Sequence, residues 1–272
     1  MIFTRKHLLT IWALSLLNLS AHAESCPSAA NIVDSINFVA GAMGSVIESL
    51  PRKIKITYSP SEGNLGGSVH GWKYPDLNLE ITGSKCGNGL SVDGFKMLVC
   101  HEIGHLAGGP PTRPFIFNDV PFSVEGEADF FAASVCLPTI FKDENNLDFL
   151  LFFKSEPGIE SCRSKSTQKE VALCVRIAMA ALDLTRYFYA TWDSAFMNTT
   201  PGEIPTFQTK DQNVVQKTLE GHPTPQCRLD TYLLGAACTY DSLPLTYSSF
   251  GNGYTSCGPV SKIQKPSCWY HD

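Results

Sequence analysis

Two imidazoles and a carboxylate fall within five residues, His101-Glu102-Ile103-Gly104-His105. On a helix, residues four apart lie one above the other, roughly 5–6 Å between Cβ atoms. His101 and His105 can then both reach one ion at the roughly 2.0–2.1 Å of a zinc–nitrogen bond. Glu102 sits about 100° round from His101 and borders the same face, so it can touch a metal-bound water without becoming a ligand. Gly104 costs a helix interior about 1 kcal/mol relative to alanine, which implies that something packs close against it.

A catalytic zinc needs a third protein ligand and one open position. Glu125-Gly126-Glu127-Ala128-Asp129 offers it. On a helix Glu125 and Asp129 share a face, and Glu127 points about 200° away. Glu125 is the expected ligand, with Asp129 accepting a hydrogen bond from the far nitrogen of a ligand histidine and so fixing its tautomer. Glu127 is read as solvated, with the alternative that it replaces Glu125 in the ligand set. Cys100 precedes His101, but helical geometry turns it from the histidine face towards a disulfide. His70 reads as a structural residue at a strand end, and His271 as solvated.

These residues need elements to position them. Apolar residues from Ile32 to Leu50 follow helical spacing up to Pro51. Lys53 to Tyr58 alternates as a strand, a Gly-rich turn at 63–67 leads to a second strand over Val69 to Tyr74, and Leu77 to Thr82 forms a third. The last of these, immediately before the motif helix, is expected at the edge of the sheet, where a peptide could add by main-chain hydrogen bonds. From Val92 to Ala107 the period is helical, stopped by Gly108-Gly109-Pro110-Pro111. A proline-rich loop is expected to about Phe122, then a helix from Val124 past Cys136. Thr167 and Glu170 form a capping box that opens a long helix to about Trp192. A short helix is expected near Val214 and another over Arg228 to Cys238.

With these residues in view, the chain resembles the gluzincins, zinc peptidases in which HExxH is followed by a Glu-x-x-x-Asp helix. The distance from His105 to Glu125 is like that of thermolysin-type and aminopeptidase-type members. The wording Glu125-x-x-Ala128-Asp129 is more similar to the CAAX prenyl protease family and its soluble periplasmic relatives. That family often carries a His-Pro followed by an arginine, which His222-Pro223 and Arg228 match. The resemblance implies an oxyanion-stabilising role for His222 near the scissile carbonyl, with Arg228 beside it. It covers three short islands between about residues 92 and 230. The segment between motif and third ligand is shorter here than is usual in the prenyl-protease family, and the cysteine-rich tail lies outside the family pattern.

Composition bounds the rest. Residues 1–23 read as a signal peptide: Arg5 and Lys6, an apolar run from Leu8 to Leu17, and Ala21-His22-Ala23 before a cut. Residues 24–272 are then expected as a single zincin-like domain of α+β class, with the sheet and motif helix in 24–109 and a mostly helical second half in 123–272. Ten cysteines in that part of an exported chain point to disulfides in an oxidising compartment, periplasmic or extracellular. The net charge of −5 comes from scattered acids, which argues against nucleic acid or an anionic membrane as partner. No later segment is long enough for a membrane span. Asn198-Thr199-Thr200 is a glycosylation sequon. The expected activity is zinc-dependent hydrolysis of a peptide or protein substrate, endopeptidase favoured over exopeptidase, with Glu102 as general base. The alternatives are a zinc-binding protein without peptidase activity, and a zinc hydrolase of a non-peptide amide.

Overall fold

The computed structural model describes residues 26–70, 77–86, 89–115, 118–151, 159–193, 197, 200–240 and 254–272. The signal peptide over 1–23, the stretch from 71 to Tyr74 and sequon positions 198–199 lie outside these residues. The fold is α+β: a small mixed sheet, a buried central helix and a helical second half, tied by five disulfides. Among the described residues no helix is long and apolar enough to cross a membrane.

Strands β1 (Ile54–Ser59), β2 (Gly66–His70) and β3 (Leu77–Thr82) pair in the order β1-β3-β2. β1 runs parallel to β3 with Ile54 opposite Leu77, and β2 runs antiparallel with Gly66 opposite Thr82 and His70 opposite Asn78. Alternation in β3 buries Leu77, Leu79 and Ile81, as a strand with one core face requires. This order corrects the sequence reading. The strand before the motif helix is central, because both neighbours bond to it, and β1 and β2 are the outer strands. The second strand also starts three residues before Val69, taking in Gly66 and Gly67.

The first helical stretch is two helices, α1 (Ala29–Ala42) and α2 (Gly44–Glu48), divided at Met43. The motif helix α3 (Val92–Ala107) is capped by Ser91, whose hydroxyl accepts from the Gly94 amide at 2.9 Å. It is buried almost all round, with Phe95, Leu98, Val99 and Ile103 in the main core. A helix buried on every side belongs in the centre of a domain, and α3 packs against α1, the sheet and the second half.

The proline-rich segment is a hairpin rather than a loop. β4 (Thr112–Phe115) and β5 (Asn118–Ser123) pair antiparallel, with a register irregularity between Arg113 and Phe115, where Pro114 stands. A two-stranded ribbon leaves an outer edge on each strand, so residues without an N–H are tolerated. The next helix has α4 (Glu125–Phe131), a π-turn (Ala132–Cys136) and α5 (Leu137–Phe141) in continuous succession. α6 (Gln168–Ala190) begins with the expected capping box, Thr167 and Glu170 bonding reciprocally. It packs along α7 (Pro225–Ala237), which starts three residues before Arg228 with Pro225 in its first turn.

Val214 lies in no helix. The amides of Val215 and Leu219 donate to the carbonyls of Ser267 and Trp269, at 2.9 and 2.7 Å, so the C-terminal tail takes groups that a helix would have used internally. That tail, with the short strands β6 (Tyr254–Thr255) and β7 (Gly258–Pro259), is held by Cys238–Cys257 and Cys227–Cys268.

Candidate metal centre

One turn of α3 sets the imidazoles of His101 and His105 with ring centroids 4.6 Å apart. Glu125 enters from the first residue of α4. Its Oε2 lies 3.3 Å from His101 Nε2, and its Oε1 lies 3.6 Å from His105 Nε2. One ligand atom from each of the three residues falls within 4.8 Å of the others, and all three residues are buried. Two nitrogens and a carboxylate oxygen are a donor set that a divalent metal ion accepts.

The close approach of the two helices has a local cause. A Cβ on Gly104 would stand 2.8 Å from the Ala128 carbonyl oxygen and 2.9 Å from its Cα. Glycine at 104 therefore lets α3 and α4 meet backbone to backbone, bringing Glu125 within reach of both histidines. The tight packing expected from that glycine is present, and α4 supplies it.

Each imidazole is held by its far nitrogen. His101 Nδ1 is 2.7 Å from Asp129 Oδ1, and His105 Nδ1 is 2.9 Å from the carbonyl oxygen of Ser123. Because these partners hold Nδ1–H of each ring, Nε2 is the atom that each imidazole would offer to a metal beside Glu125. Among the described residues, no group forms a hydrogen bond with the buried Glu125 Oε2 atom. Such an acceptor is costly in a folded interior, and a cation shared with the two Nε2 atoms would satisfy it. The residues fit a metal on both counts.

Behind His101, Arg228 donates through Nε and Nη2 to the two Asp129 oxygens at 2.9 and 2.7 Å. Its Nη2 also lies 3.3 Å from the Tyr232 hydroxyl, and its guanidinium covers the Phe188 ring at 4.2 Å. Asp129 and Arg228 are both fully enclosed. Arg228 thus backs Asp129, and its Nη2 also lies 3.2 and 3.3 Å from the two ring nitrogens of His101.

The charges follow from these contacts. Burial and Arg228 oppose a proton on His101, but Asp129 and Glu125 outweigh them and lift it to about 9. Burial drives His105 down to about 4, against the pull of Glu125. Burial would raise Glu125, yet the three surrounding histidines hold it well below the usual carboxylate range. Asp129 is likewise lowered despite burial, by Arg228 and His101. Burial pushes Glu102 up to about 7, with His101 opposing and Glu125 reinforcing.

A comparison with protein families, characterised proteins and solved structures returned no match.

Glu102 is 5% exposed and stands outside the three-ligand group, beside β2. A Cβ on Gly67 would fall 2.4 Å from Glu102 Cγ, so the outer strand presses its bare backbone against this carboxylate. His222 reaches the cluster from the turn before α7: its Nε2 is 3.4 Å from Glu125 Oε1, its side chain is 32% exposed, and burial lowers its affinity for a proton. Five of the sequence-derived residues, His101, Glu102, His105, Glu125 and Asp129, share one buried cluster, with Arg228 behind it and His222 at its mouth.

Other residues fall elsewhere. Glu127 is not solvated: it is buried and paired with Lys265, since the tail covers the face of α4 opposite the metal group. His70 faces Glu80 at 3.6 Å on the sheet, apart from the cluster, and His271 is exposed. Cys100 is bonded to Cys136. A second grouping, Asp211 with Cys227 and Cys268, offers no thiolates because those cysteines form a disulfide.

Sequence reasoning missed Arg113. From β4 its Nη2 comes to 3.8 Å of Glu125 Oε1, while Nη1 donates to the Glu220 carbonyl at 3.1 Å; the side chain is 39% exposed. Nothing local flags it, because the hairpin that carries it is concealed by prolines. Gly66-Gly67 did carry a signal, since glycines within a strand mark close approach of another group.

Proposed function

We propose that this chain is a zinc-dependent metallopeptidase of gluzincin type, acting in an oxidising compartment outside the cytosol. His101, His105 and Glu125 would hold the ion. The observation that carries this reading is Glu102: a carboxylate buried beside the ligands yet outside the ligand set, which a purely structural metal site does not need. Zincin-like architecture is consistent with the central HExxH helix under a small sheet with an antiparallel outer strand. Five disulfides favour export.

Bound zinc would supply a Lewis acid that polarises a carbonyl and acidifies a water. The chain's own residues account for the remaining steps. A substrate backbone lies along β2, whose Gly67 packs against Glu102, and its carbonyl turns towards the ligand cluster. Glu102 accepts the proton of the attacking water as the new carbon–oxygen bond forms. His222 donates a hydrogen bond to the carbonyl oxygen as negative charge builds on it. Glu102 then delivers its proton to the leaving nitrogen as the carbon–nitrogen bond breaks, giving a free acid and a free amine. Asp129, backed by Arg228, keeps the His101 ring in the ligating tautomer.

The test uses Glu102→Gln. The variant is expected to take up a single zinc as wild type does, while cleavage of casein and of a peptide library falls by about 10²–10⁴-fold. A zinc-loaded wild type that cleaves no peptide, or a Glu102→Gln variant that cleaves normally, overturns the reading. Cleavage of cell-wall amides in place of peptides would move the assignment to a non-peptide amide hydrolase.

A further inference from the structure

Glu125 is the ligand that does not share the α3 helix with the other two, and the Val124 cap of its own helix makes no side-chain hydrogen bond. The C-terminal tail holds it from outside. The Trp269 ring lies flush on Gly126: a Cβ there would fall 2.2–2.7 Å from three ring atoms. Lys265 pairs with Glu127 on the same turn, and both side chains are buried. Trp269 is 0% exposed, and its Nε1 donates to the Thr231 hydroxyl of α7 at 2.9 Å.

The same tail segment is tied to the other residues around the cluster. Cys268 is bonded to Cys227, the neighbour of Arg228. The Trp269 carbonyl accepts from Leu219, three residues before His222. Val124, Cys227, Cys268 and Trp269 form a small apolar core of their own, separate from the main one. Residues 265–269 therefore touch the chain next to Glu125, before His222 and beside Arg228, while contributing no atom to the three-ligand group.

We infer that Trp269 and Lys265 are positioning residues for the metal centre. They hold the first turn of α4 so that Glu125 stays at ligand distance, and the Cys227–Cys268 disulfide locks them in place. The tail is a third wall of the site, and metal retention depends on its staying in place. This rests on the metal-binding reading above and extends it to a part of the chain that its motifs do not reach.

The experiment compares Trp269→Leu, Trp269→Phe and the double variant Cys227→Ser/Cys268→Ser with wild type, each full-length in its mature form. Three readouts apply: zinc affinity against a competing chelator, the visible spectrum of the cobalt(II)-substituted protein, and the thermal midpoint of the metal-free form. Trp269→Leu is expected to weaken zinc binding about 10–100-fold, the range seen when groups supporting a ligand are lost. Its cobalt bands should shift or lose intensity as the carboxylate ligand drifts. Trp269→Phe keeps a ring on Gly126 and should recover most of the affinity. The double serine variant keeps every core ring and should still lose affinity, by roughly tenfold.

Should Trp269→Leu fail to fold, the phenylalanine and double serine variants carry the test. Folded variants that bind zinc with wild-type affinity and give the wild-type cobalt spectrum overturn the inference while leaving the metal site intact. A wild type that takes up neither zinc nor cobalt overturns both.

Discussion

Replacing Gly104 by alanine sets two effects of opposite sign against each other. Helix propensity alone favours the change by about 1 kcal/mol. The structure predicts the reverse, because the new methyl would sit 2.8 Å from the Ala128 oxygen, 2.9 Å from its Cα and 3.2 Å from its carbonyl carbon. All three atoms are backbone of α4, so no side chain can swing aside. Carbon contacts are best at about 3.5–4.0 Å, so the two helices must part by roughly 0.6 Å. Overpacking of this kind costs about 1–3 kcal/mol, which leaves a net loss of up to about 2 kcal/mol after the propensity gain. For a chain of this size the thermal midpoint should fall by about 2–4 °C for each kcal/mol. Metal distances tolerate only about 0.2 Å, so the same opening should weaken zinc binding by tenfold or more. Both quantities are measurable: urea unfolding in chelator with the disulfides intact, and zinc competition on the folded protein. A Gly104→Ala variant that is more stable by about 1 kcal/mol and binds zinc normally would show that the helix approach has been misjudged.

Other perturbations act through single contacts. Asp129→Asn leaves the buried Arg228 charge without its partner, at an expected cost of about 3–5 kcal/mol, and releases His101, for a 10–100-fold loss of zinc affinity by chelator titration. Arg113→Ala removes a partly exposed cation 3.8 Å from the Glu125 carboxylate. Zinc should then bind somewhat more tightly, by less than about tenfold, and the gain should shrink as salt screens it; weaker binding would assign Arg113 a different part. Thr167→Ala should cost about 1 kcal/mol by loss of the α6 cap. Glu170 in that box is held below its ordinary value by its bonds to Thr167. Its share of the stability is therefore present above about pH 4.3, the unfolded value, and fades as pH falls through the folded one. Denaturation at pH 7 and pH 3 should show the wild-type advantage over Thr167→Ala shrinking in acid.

How far the sequence could be read depended on whether a residue's partner lay nearby. β3 and α3 fall where alternation and helical period put them, because one face of each meets the core continuously. The same local logic gave the capping box at Thr167 and the shared face of Glu125 and Asp129. The hairpin over 112–123 was hidden because prolines argue against strands unless an outer edge is known to exist. Helical spacing misleads at Val214 because the amides of Val215 and Leu219 answer to Ser267 and Trp269, which no local window includes. A local window leaves Glu127 to solvent for a similar reason: Lys265 lies 138 residues away. The order of the sheet, and with it the strand that faces Glu102, depends on pairings that alternation alone leaves open.

The bond between Cys100 and Cys136 encloses His101, His105 and Glu125 within a single 36-residue span. A ring of that length removes about 4 kcal/mol of chain entropy from the denatured ensemble. The oxidised polypeptide thus carries these three residues on one small macrocycle even when unfolded, and their mutual encounter needs no distant part of the chain. On the proposed metal-binding reading, capture of the ion can accordingly begin as a local event, with the sheet, the long helices and the tail closing around it afterwards.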